Sequence, residues 1–155
     1  MSNENPAARS EQLIRRLFER QTAMDPKGMK ECFAPDALCE IPFNPSGAVD
    51  DASVVRRKGP ELLAWIDYVM PHLETFRMED MEFTTSADGK VCFLECRTDC
   101  MGTGGVPYKN RYVFRFDIDV GGNKIKRYRE YLNVIAAVGL FENFATVQFK
   151  DGKWQ

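Results

Sequence analysis

Glu130 is the side chain of this sequence whose surroundings most strongly suggest chemistry. It lies in segment 124–134, a predicted strand whose side chains alternate between two faces, and it shares its face with Tyr128, Leu132 and Val134. A carboxylate among apolar side chains is costly to keep ionised, so Glu130 must be protonated, hydrogen-bonded or ion-paired. Two interpretations stay open: Glu130 pairs with an arginine or a helix end inside the fold, or it is the acid or base of a ligand pocket.

The two preceding predicted strands supply polar groups that can face Glu130. In segment 107–120 one alternating set is almost wholly aromatic or aliphatic and the other almost wholly charged, so the first set is expected to face inward. In segment 90–101 the inner set is small and uncharged. Polar tips that converge on one acid are typical of a small-molecule site, although aromatic side chains at such positions also form ordinary core. The candidate ligand-binding residues are Tyr108, Asn110, Tyr112, Tyr128 and Thr98 on these strands and Trp65 on the third predicted helix.

His72 is the only histidine of the chain, and it follows Pro71 at the predicted end of the third helix. Histidine is a common proton donor and acceptor near neutral pH, so His72 is a second candidate catalytic residue. The alternative is a residue at the surface or at the rim of the pocket. One histidine and five cysteines without paired Cys-x-x-Cys clusters do not make a zinc site, so we expect no metal and five buried, reduced thiols.

Three predicted helices precede the long strands. The first covers residues 10–22 with Ser10 as its cap, because apolar residues recur there at helical spacing. The second begins at the Asp-Pro pair 25–26 and ends near residues 34–36. The third begins at the Gly-Pro pair 59–60, and Pro71 is expected to kink or end it.

After residue 76 the sequence changes from the period of a helix to that of strands. Segments rich in β-branched and aromatic residues are divided by turns that suit hairpins. Earlier in the chain, a short strand and a loop long enough to act as a lid separate the second helix from the third. The predicted strands are 37–43, 78–85, 90–101, 107–120 and 124–134, and the predicted loop is 44–58. This order indicates an α+β domain whose curved antiparallel sheet wraps a mostly apolar pocket for a small organic molecule.

The composition narrows the class of protein. The chain has 155 residues, 44% apolar and 28% charged, which suits one domain over residues 1–155. No segment approaches the roughly 20 apolar residues that span a bilayer, and the opening residues lack the order of a secretory signal, so we expect a cytoplasmic protein without membrane contact. The net charge is −2 and no basic block is present, so nucleic acid is not expected as a partner.

Motifs at both ends of the chain make it resemble a known superfamily. After a first helix rich in Leu and Phe come FAPDA at 33–37 and EIPF at 40–43. With them the chain resembles the SnoaL-like polyketide cyclase and ketosteroid isomerase superfamily, which has the nuclear-transport-factor-2-like fold. KNRYVF at 109–114 and KIKRYREYLNV at 124–134 look closest to the phenazine biosynthesis A/B proteins within it.

The resemblance implies a cone-shaped α+β barrel, in which three N-terminal helices pack against a curved, mainly antiparallel mixed sheet that encloses a cofactor-free pocket. It also implies a homodimer. In the phenazine proteins a pocket glutamate on the last long strand acts as the acid in the condensation of two amino-ketone molecules, and the matching residue here is Glu130. Their pocket histidine lies early in the third-helix region, where this chain has GPE at 59–61, so His72 would act as a substitute.

Three hypotheses on function stay open. The first is acid/base catalysis on a carbonyl compound by Glu130, through cyclisation, isomerisation or condensation. Steroid isomerisation itself is not expected, because the isomerase base and oxyanion tyrosine correspond here to Ile41 and to Leu17 or Phe18. The second is a non-catalytic ligand-binding or scaffold module of the same fold. The third is a partner-interaction domain that dimerises through the outer sheet face, where apolar residues interrupt the charges. These residues are Val91, Phe93, Val113 and Tyr131.

Overall fold

A six-stranded mixed sheet, against which the helices pack, supports the architecture. The computed structural model describes residues 5–43 and 45–155. The helices are α1 (Pro6–Thr22), α2 (Pro26–Lys30), α3 (Pro60–Val69) and α4 (Val134–Phe144). The strands of the sheet are β1 (Phe33–Ile41), β2 (Val55–Lys58), β3 (Leu73–Thr85), β4 (Val91–Gly102), β5 (Val106–Asp119) and β6 (Lys124–Leu132). A small hairpin follows α4 and consists of β7 (Phe149–Lys150) and β8 (Lys153–Trp154).

The strand order is β2-β1-β6-β5-β4-β3, and β1 runs parallel to β6 while the other neighbours are antiparallel. The sheet is curved and cone-like. It does not close as a full barrel, because β2 and β3 are edge strands that do not pair with each other. The predicted α+β class with a mainly antiparallel mixed sheet is therefore confirmed. The parallel pairing places β1 directly beside β6, the strand that carries Glu130.

Helix α1 covers the sheet with an apolar stripe. Leu13, Ile14, Leu17 and Phe18 are all buried, as their helical spacing predicts. The predicted start at Ser10 is wrong, because Pro6 occupies the first helical position and the Asn5 side chain accepts a hydrogen bond from the Ala7 amide at 3.0 Å. The Ser10 hydroxyl instead donates to the Gly89 carbonyl at 2.7 Å, and this bond attaches α1 to the turn between β3 and β4.

The second helix is shorter than predicted. Asp25 caps it, as the sequence indicates, but it ends at Lys30, and β1 already begins at Phe33 instead of residue 37. Pro35 is therefore part of a strand between two neighbours, a position that proline normally avoids because it lacks an N–H. The pairing of β1 with β6 shifts register between Phe33 and Leu38, and this irregularity accommodates the proline.

The predicted loop 44–58 contains regular structure at its end. Its first residue, Asn44, lies outside the described residues, as do residues 1–4. The last four residues form β2, which pairs antiparallel with β1, so the prediction of a loop is wrong there. Three consecutive basic residues, Arg56, Arg57 and Lys58, conceal the alternation of this strand, because long side chains with charged ends can turn inward or outward.

The strands after α3 occupy the predicted segments with shifted ends. Strand β3 begins at Leu73, five residues before the predicted start, directly after a short 3₁₀ turn that contains Pro71. Strand β6 ends at Leu132, and Asn133 then caps α4 by accepting hydrogen bonds from two amides of its first turn. The sequence analysis did not predict α4 or the hairpin of β7 and β8.

The buried core lies between α1, the start of β1 and the inner face of β4 to β6. On β4 and β5 its residues are those of the predicted inward sets, so the predicted alternation is confirmed there. On β6, Ile125 is buried although its parity is that of the outward set, because the pairing of β5 with β6 shifts register between Asp117 and Ile118. All five cysteines are buried and free, also as predicted. Among the residues that the structure describes, no helix is long and apolar enough to cross a membrane. The inner-face residues of the three strands that are buried are Cys92, Leu94, Cys96, Thr98, Cys100, Asn110, Phe114, Phe116, Ile118 and Ile125.

Candidate active site

Glu130 lies on the inner face of β6, as its alternation predicts. It is paired across the sheet with Phe114, and Tyr128, two residues earlier on the same face, is paired with Phe116 on one side and with Cys39 of β1 on the other. Side chains opposite one another in neighbouring strands share a face of the sheet. The carboxyl group of Glu130 therefore lies among aromatic rings and a buried thiol.

The Glu130 carboxylate has no partner within the protein. Across residues 5–43 and 45–155 it takes part in none of the hydrogen bonds or ion pairs of the structure, yet its side chain keeps some solvent-accessible surface. Burial raises the pKa of Glu130 to about 7, and the nearby positive charge of Arg57 opposes this shift. The interpretation that Glu130 forms an ion pair as part of the fold therefore lacks support. A partly accessible, poorly hydrated acid is what the wall of a ligand pocket presents.

A pair of tyrosines stands next to Glu130 on β5. The hydroxyl groups of Tyr108 and Tyr112 are 2.7 Å apart, and the Asn110 amide donates to the Tyr108 oxygen at 2.8 Å. Burial, and after it the charge of Glu130, raises the pKa of Tyr112 well above its usual value, and burial also raises the pKa of Tyr108. Both hydroxyls therefore keep their protons. The pair uses one of its two protons internally, so the other is available to a ligand.

Asn110 positions the tyrosine pair, and its side-chain amide is fully used by hydrogen bonds within the protein. Its Oδ1 atom accepts from the amides of Arg111 at 2.7 Å and Asn133 at 3.0 Å, while its Nδ2 atom donates to Tyr108 and, at 3.1 Å, to the Asn133 carbonyl. Four hydrogen bonds saturate a primary amide. Asn110 thus fixes the position of Tyr108 and ties β5 to the beginning of α4.

Tyr128 and Thr98 lie on the same inner face. Tyr128 contacts the rings of Phe33 and Phe116, with centroid distances of 5.5 and 6.0 Å. Burial, together with Cys39 and Glu130, raises its pKa well above the usual value, so its hydroxyl also stays protonated. The Thr98 oxygen is buried without a hydrogen bond in the described part of the chain. Burial raises the pKa of the nearby Cys100 thiol to about 11.

Arg57 is a site residue that the sequence analysis missed. It lies on β2 directly opposite Cys39, and Cys39 lies opposite Tyr128, so one row crosses three strands on the inner face. The Arg57 guanidinium carbon lies 3.7 Å from the centroid of the Trp65 ring and 5.3 Å from that of Trp154. The shared parity of Val55 and Arg57 was the available signal, but a strand of four residues with three basic side chains resembles an exposed loop.

Trp65 is therefore connected to the site by its contact with the Arg57 side chain. Its ring also makes edge contacts with Phe144 and Trp154, at centroid distances of 5.2 and 4.9 Å. Trp154 donates from its indole nitrogen to the Glu61 carbonyl at 2.9 Å, which attaches the hairpin of β7 and β8 to α3. The end of the described chain is thus part of the wall beside Arg57.

His72 lies apart from these groups. Its ring is exposed in the 3₁₀ turn after α3, with Nδ1 at 2.8 Å from the Tyr68 carbonyl and with ring contacts to Tyr68 and Phe144. Within the described residues, no hydrogen bond or ring contact joins it to Glu130. A catalytic role for His72 stays a prediction, and the geometry gives it no proton path to the carboxylate.

A groove of about 530 Å³ lies on the opposite face of the sheet. The lining residues that belong to the outward sets of β4, β5 and β6 are Glu95, Arg97, Arg111, Val113 and Tyr131. Phe43, Asp80 and Glu82 also line it, and so do Cys96, Tyr112 and Leu132 of the inward sets. Glu130 is not among the residues that line this groove.

The comparisons with solved structures show the fold. A protein named as a candidate isomerase from Bacillus subtilis is 24% identical, with a TM-score of 0.68 over 89% of this chain and 96% of that one. A phenazine biosynthesis-related protein from Pseudomonas aeruginosa is 16% identical, with a TM-score of 0.71 over 97% and 91%. A protein named as a candidate polyketide cyclase from Xanthomonas campestris is 17% identical, with a TM-score of 0.68 over 86% and 97%. These structures share the nuclear-transport-factor-2-like fold that the sequence motifs imply.

No curated protein sequence matches the chain. The sequence profile of the SnoaL-like domain matches residues 14–128, which is most of the chain. The matched segment includes Arg57, Trp65 and the tyrosines, while Glu130 and Trp154 follow it. On the evidence of this match, together with the cone-like fold, the chain belongs to the SnoaL-like domain family.

Proposed function

We propose that this protein catalyses proton transfer on a small carbonyl compound without a cofactor, with Glu130 as the acid/base group. The observation that carries the proposal is an inner-face carboxyl that has no protein partner among the described residues and whose pKa burial raises to about 7. Such a group is divided between its two protonation states near neutral pH, so it can both accept and return a proton. The family and the isomerase and cyclase neighbours support this class of reaction.

The chemistry uses Glu130 and the tyrosine pair together. Ionised Glu130 takes a proton from the carbon next to the carbonyl, and the electron pair of that C–H bond forms the C=C bond of an enolate. The enolate oxygen accepts the available hydroxyl proton of Tyr108 or Tyr112 as a hydrogen bond. Protonated Glu130 then returns the proton to a different carbon, and the net change is an isomerisation.

In a phenazine-type condensation, protonated Glu130 gives its proton to the hydroxyl that leaves as water while an amine and a carbonyl form an imine, and the nitrogen returns a proton to Glu130. Cyclisation begins instead with removal of the proton next to the carbonyl, as in the isomerisation. The enolate carbon attacks a second carbonyl, and protonated Glu130 gives its proton to the alkoxide that forms. Each step is redox-neutral, so the proton that Glu130 removes is the proton that it returns. General acid/base catalysis of this kind contributes about 10² to 10⁴ to a rate.

Deuterium uptake tests the proposal without knowledge of the natural substrate. Small ketones, 1,3-diketones and keto acids are incubated with the protein in D₂O, and exchange at the carbon next to the carbonyl is followed by NMR. We expect Glu130→Gln to lose about 10² or more of the exchange rate, because the amide neither accepts nor donates the proton. The wild-type rate should increase with pH through about 7, as the carboxylate form accumulates.

Glu95→Gln is the matched control, since Glu95 is an exposed glutamate on the outer face of β4. This variant should exchange at the wild-type rate. An unfolding curve for each variant shows that the fold is retained. Exchange by Glu130→Gln at the wild-type rate would end the proposal.

A non-catalytic ligand-binding module is the second candidate function. It is favoured by the position of His72, which is exposed and not joined to Glu130, so the described site contains a single unpartnered acid. In that case ligands bind to the inner face, but no ketone of the panel exchanges faster in the presence of the wild-type protein than in buffer.

A further inference from the structure

We infer that the substrate of this site carries a carboxylate in addition to its carbonyl group, and that Arg57, whose guanidinium group lies against Trp65 and Trp154, binds this carboxylate. The inference rests on the proposed function for the reacting end of the substrate. The carboxylate end depends on a different residue and is tested separately.

Within residues 5–43 and 45–155, the Arg57 guanidinium group stacks on aromatic rings and donates no hydrogen bond. The two tryptophan rings lie 3.7 and 5.3 Å from the guanidinium carbon. Stacking uses the face of the guanidinium group, whereas its five N–H bonds point outward in the plane. The Nε atom is buried and has no acceptor within the described residues. The rings therefore hold a cation whose Nε–H donor has no acceptor among the described residues.

Arg57 also has no ion-pair partner in residues 5–43 and 45–155, in contrast to its neighbour. Arg56, on the other face of the same strand, pairs with Glu40 at 3.2 Å and with Asp51 at 2.6 Å. A partly buried cation without an anion is unfavourable, and one guanidinium group matches one carboxylate in charge and in its fork of two hydrogen bonds. Glu130 forms no ion pair with Arg57, so a ligand carboxylate has no competitor at hydrogen-bond distance.

The spacing of the strands limits the size of the substrate. Arg57 lies on β2 and Glu130 on β6, with β1 between them. Two strand spacings and an offset of two residues along β6 separate their backbones by about 12 Å, and both side chains extend into the same interior. A substrate that reaches both groups has its carboxylate only a few bonds from the reacting carbon, as in a short keto acid.

The hairpin of β7 and β8 supplies one of the two rings against which Arg57 lies, that of Trp154. Trp154 is attached to α3 by the hydrogen bond to the Glu61 carbonyl and contacts Phe149 of the same hairpin at a centroid distance of 5.4 Å. The family profile ends at residue 128, so the ring that completes the stack lies outside the matched segment.

Pairs of ligands that differ only in charge test the inference. Acetate, 4-oxopentanoate and benzoate are titrated against their amides at pH 6, where Glu130 is mostly protonated. Binding is followed by calorimetry and by tryptophan fluorescence, since the chain has two tryptophans and both contact Arg57. We expect at least one carboxylate to bind about tenfold more tightly than its amide and to change the fluorescence.

Arg57→Gln should remove this preference, and Arg57→Lys, which keeps the charge but loses the planar fork, should weaken it. Lys58→Gln is the matched control, because Lys58 is the exposed next residue of β2 and should leave the preference unchanged. If no carboxylate binds better than its amide, or if Arg57→Gln keeps the preference, the inference is wrong.

Glu130→Gln separates this inference from the proposed function. In that variant the carboxylate preference should persist while deuterium exchange is lost. Exchange that survives in Glu130→Gln contradicts the proposed function, yet a preference that depends on Arg57 would still support a carboxylate-binding site. Loss of the preference in Glu130→Gln, with the fold intact, would contradict the inference.

Discussion

Two glutamates on neighbouring strands show how the same side chain takes different roles. Glu40 of β1 is 6% exposed on the outer face, where it accepts hydrogen bonds from Arg56 at 3.2 Å and Arg129 at 2.9 Å, with Arg127 also within ion-pair distance. Glu130 of β6 faces inward and has no such partner in the described chain. A paired carboxylate contributes to the fold, whereas an unpaired one with a raised pKa is available for proton transfer.

The raised pKa of Glu130 predicts a cost in stability that depends on pH. Because the pKa rises from 4.5 to about 7 on folding, the unfolded chain ionises first, and stability falls as the pH increases from about 4.5 to 7. Above pH 7 the loss in the free energy of unfolding reaches its full value, which is about 3 kcal/mol at most. Glu130→Gln should therefore raise the free energy of unfolding at pH 8 and change it much less at pH 4.5, as measured by urea titration.

Glu95→Gln again serves as the control, because an exposed carboxylate should show no comparable difference between the two pH values. Equal effects of Glu130→Gln at pH 4.5 and pH 8 would mean that the carboxyl is well hydrated in the folded protein. That result would remove the basis of the proposed chemistry as well.

At the scale of elements, the turn between β3 and β4 is fitted closely against α1. Gly89 in this turn has φ +71°, and a Cβ atom there would lie 2.5 Å from the Pro6 carbonyl oxygen and 2.9 Å from the Ser10 hydroxyl oxygen. Gly104, in the turn between β4 and β5, has φ +81° but no neighbouring atom within 4 Å of such a Cβ. The two glycines therefore share the backbone conformation and differ in crowding.

Gly104→Ala should cost about 1 to 2 kcal/mol, the usual cost of the left-handed conformation for a residue with a Cβ. Gly89→Ala should cost at least about 1 kcal/mol more, because α1 or the turn must move to relieve the contact with the Pro6 backbone. Chemical denaturation of both variants measures the difference. Equal costs would show that the contact between α1 and this turn is loose.

At the scale of the whole molecule, we propose that the protein is a homodimer formed through the outer sheet face. Phe93 is 38% exposed there, and Val113 and Tyr131 line the groove of about 530 Å³ between charged side chains. A mixed polar and apolar surface on a twisted sheet suits an interface between two identical copies. The dimer would leave the inner face of each copy available to its ligand.

Val113→Glu should shift the protein to the monomer in sedimentation velocity, because two charges would be buried at the centre of the face. Val49→Glu is the matched control, since Val49 is 99% exposed outside the sheet and should leave the assembly unchanged. A wild-type protein that sediments as a monomer at high micromolar concentration would refute the dimer.

The pattern of apolar and charged residues over short segments was enough to predict most helices and strands and the face on which most residues of β4, β5 and β6 lie. The alternation of apolar and charged residues along 107–120 and 124–134 placed Glu130, Tyr112 and Asn110 on one face, and the structure agrees. Caps and proline positions likewise located the starts of the second and third helices. These features depend on residues a few positions apart, so the sequence alone contains them.

The tertiary structure decided which of these residues act together. Arg57 joins the site only because β2 pairs with β1 and β1 lies parallel to β6, and Trp154 reaches it from the opposite end of the chain. Whether Glu130 had an arginine partner, and whether Asn110 had a free amide, also depended on contacts between distant segments. Strand pairing and side-chain packing join segments far apart along the chain, and a pattern of neighbouring residues does not encode which distant segments meet.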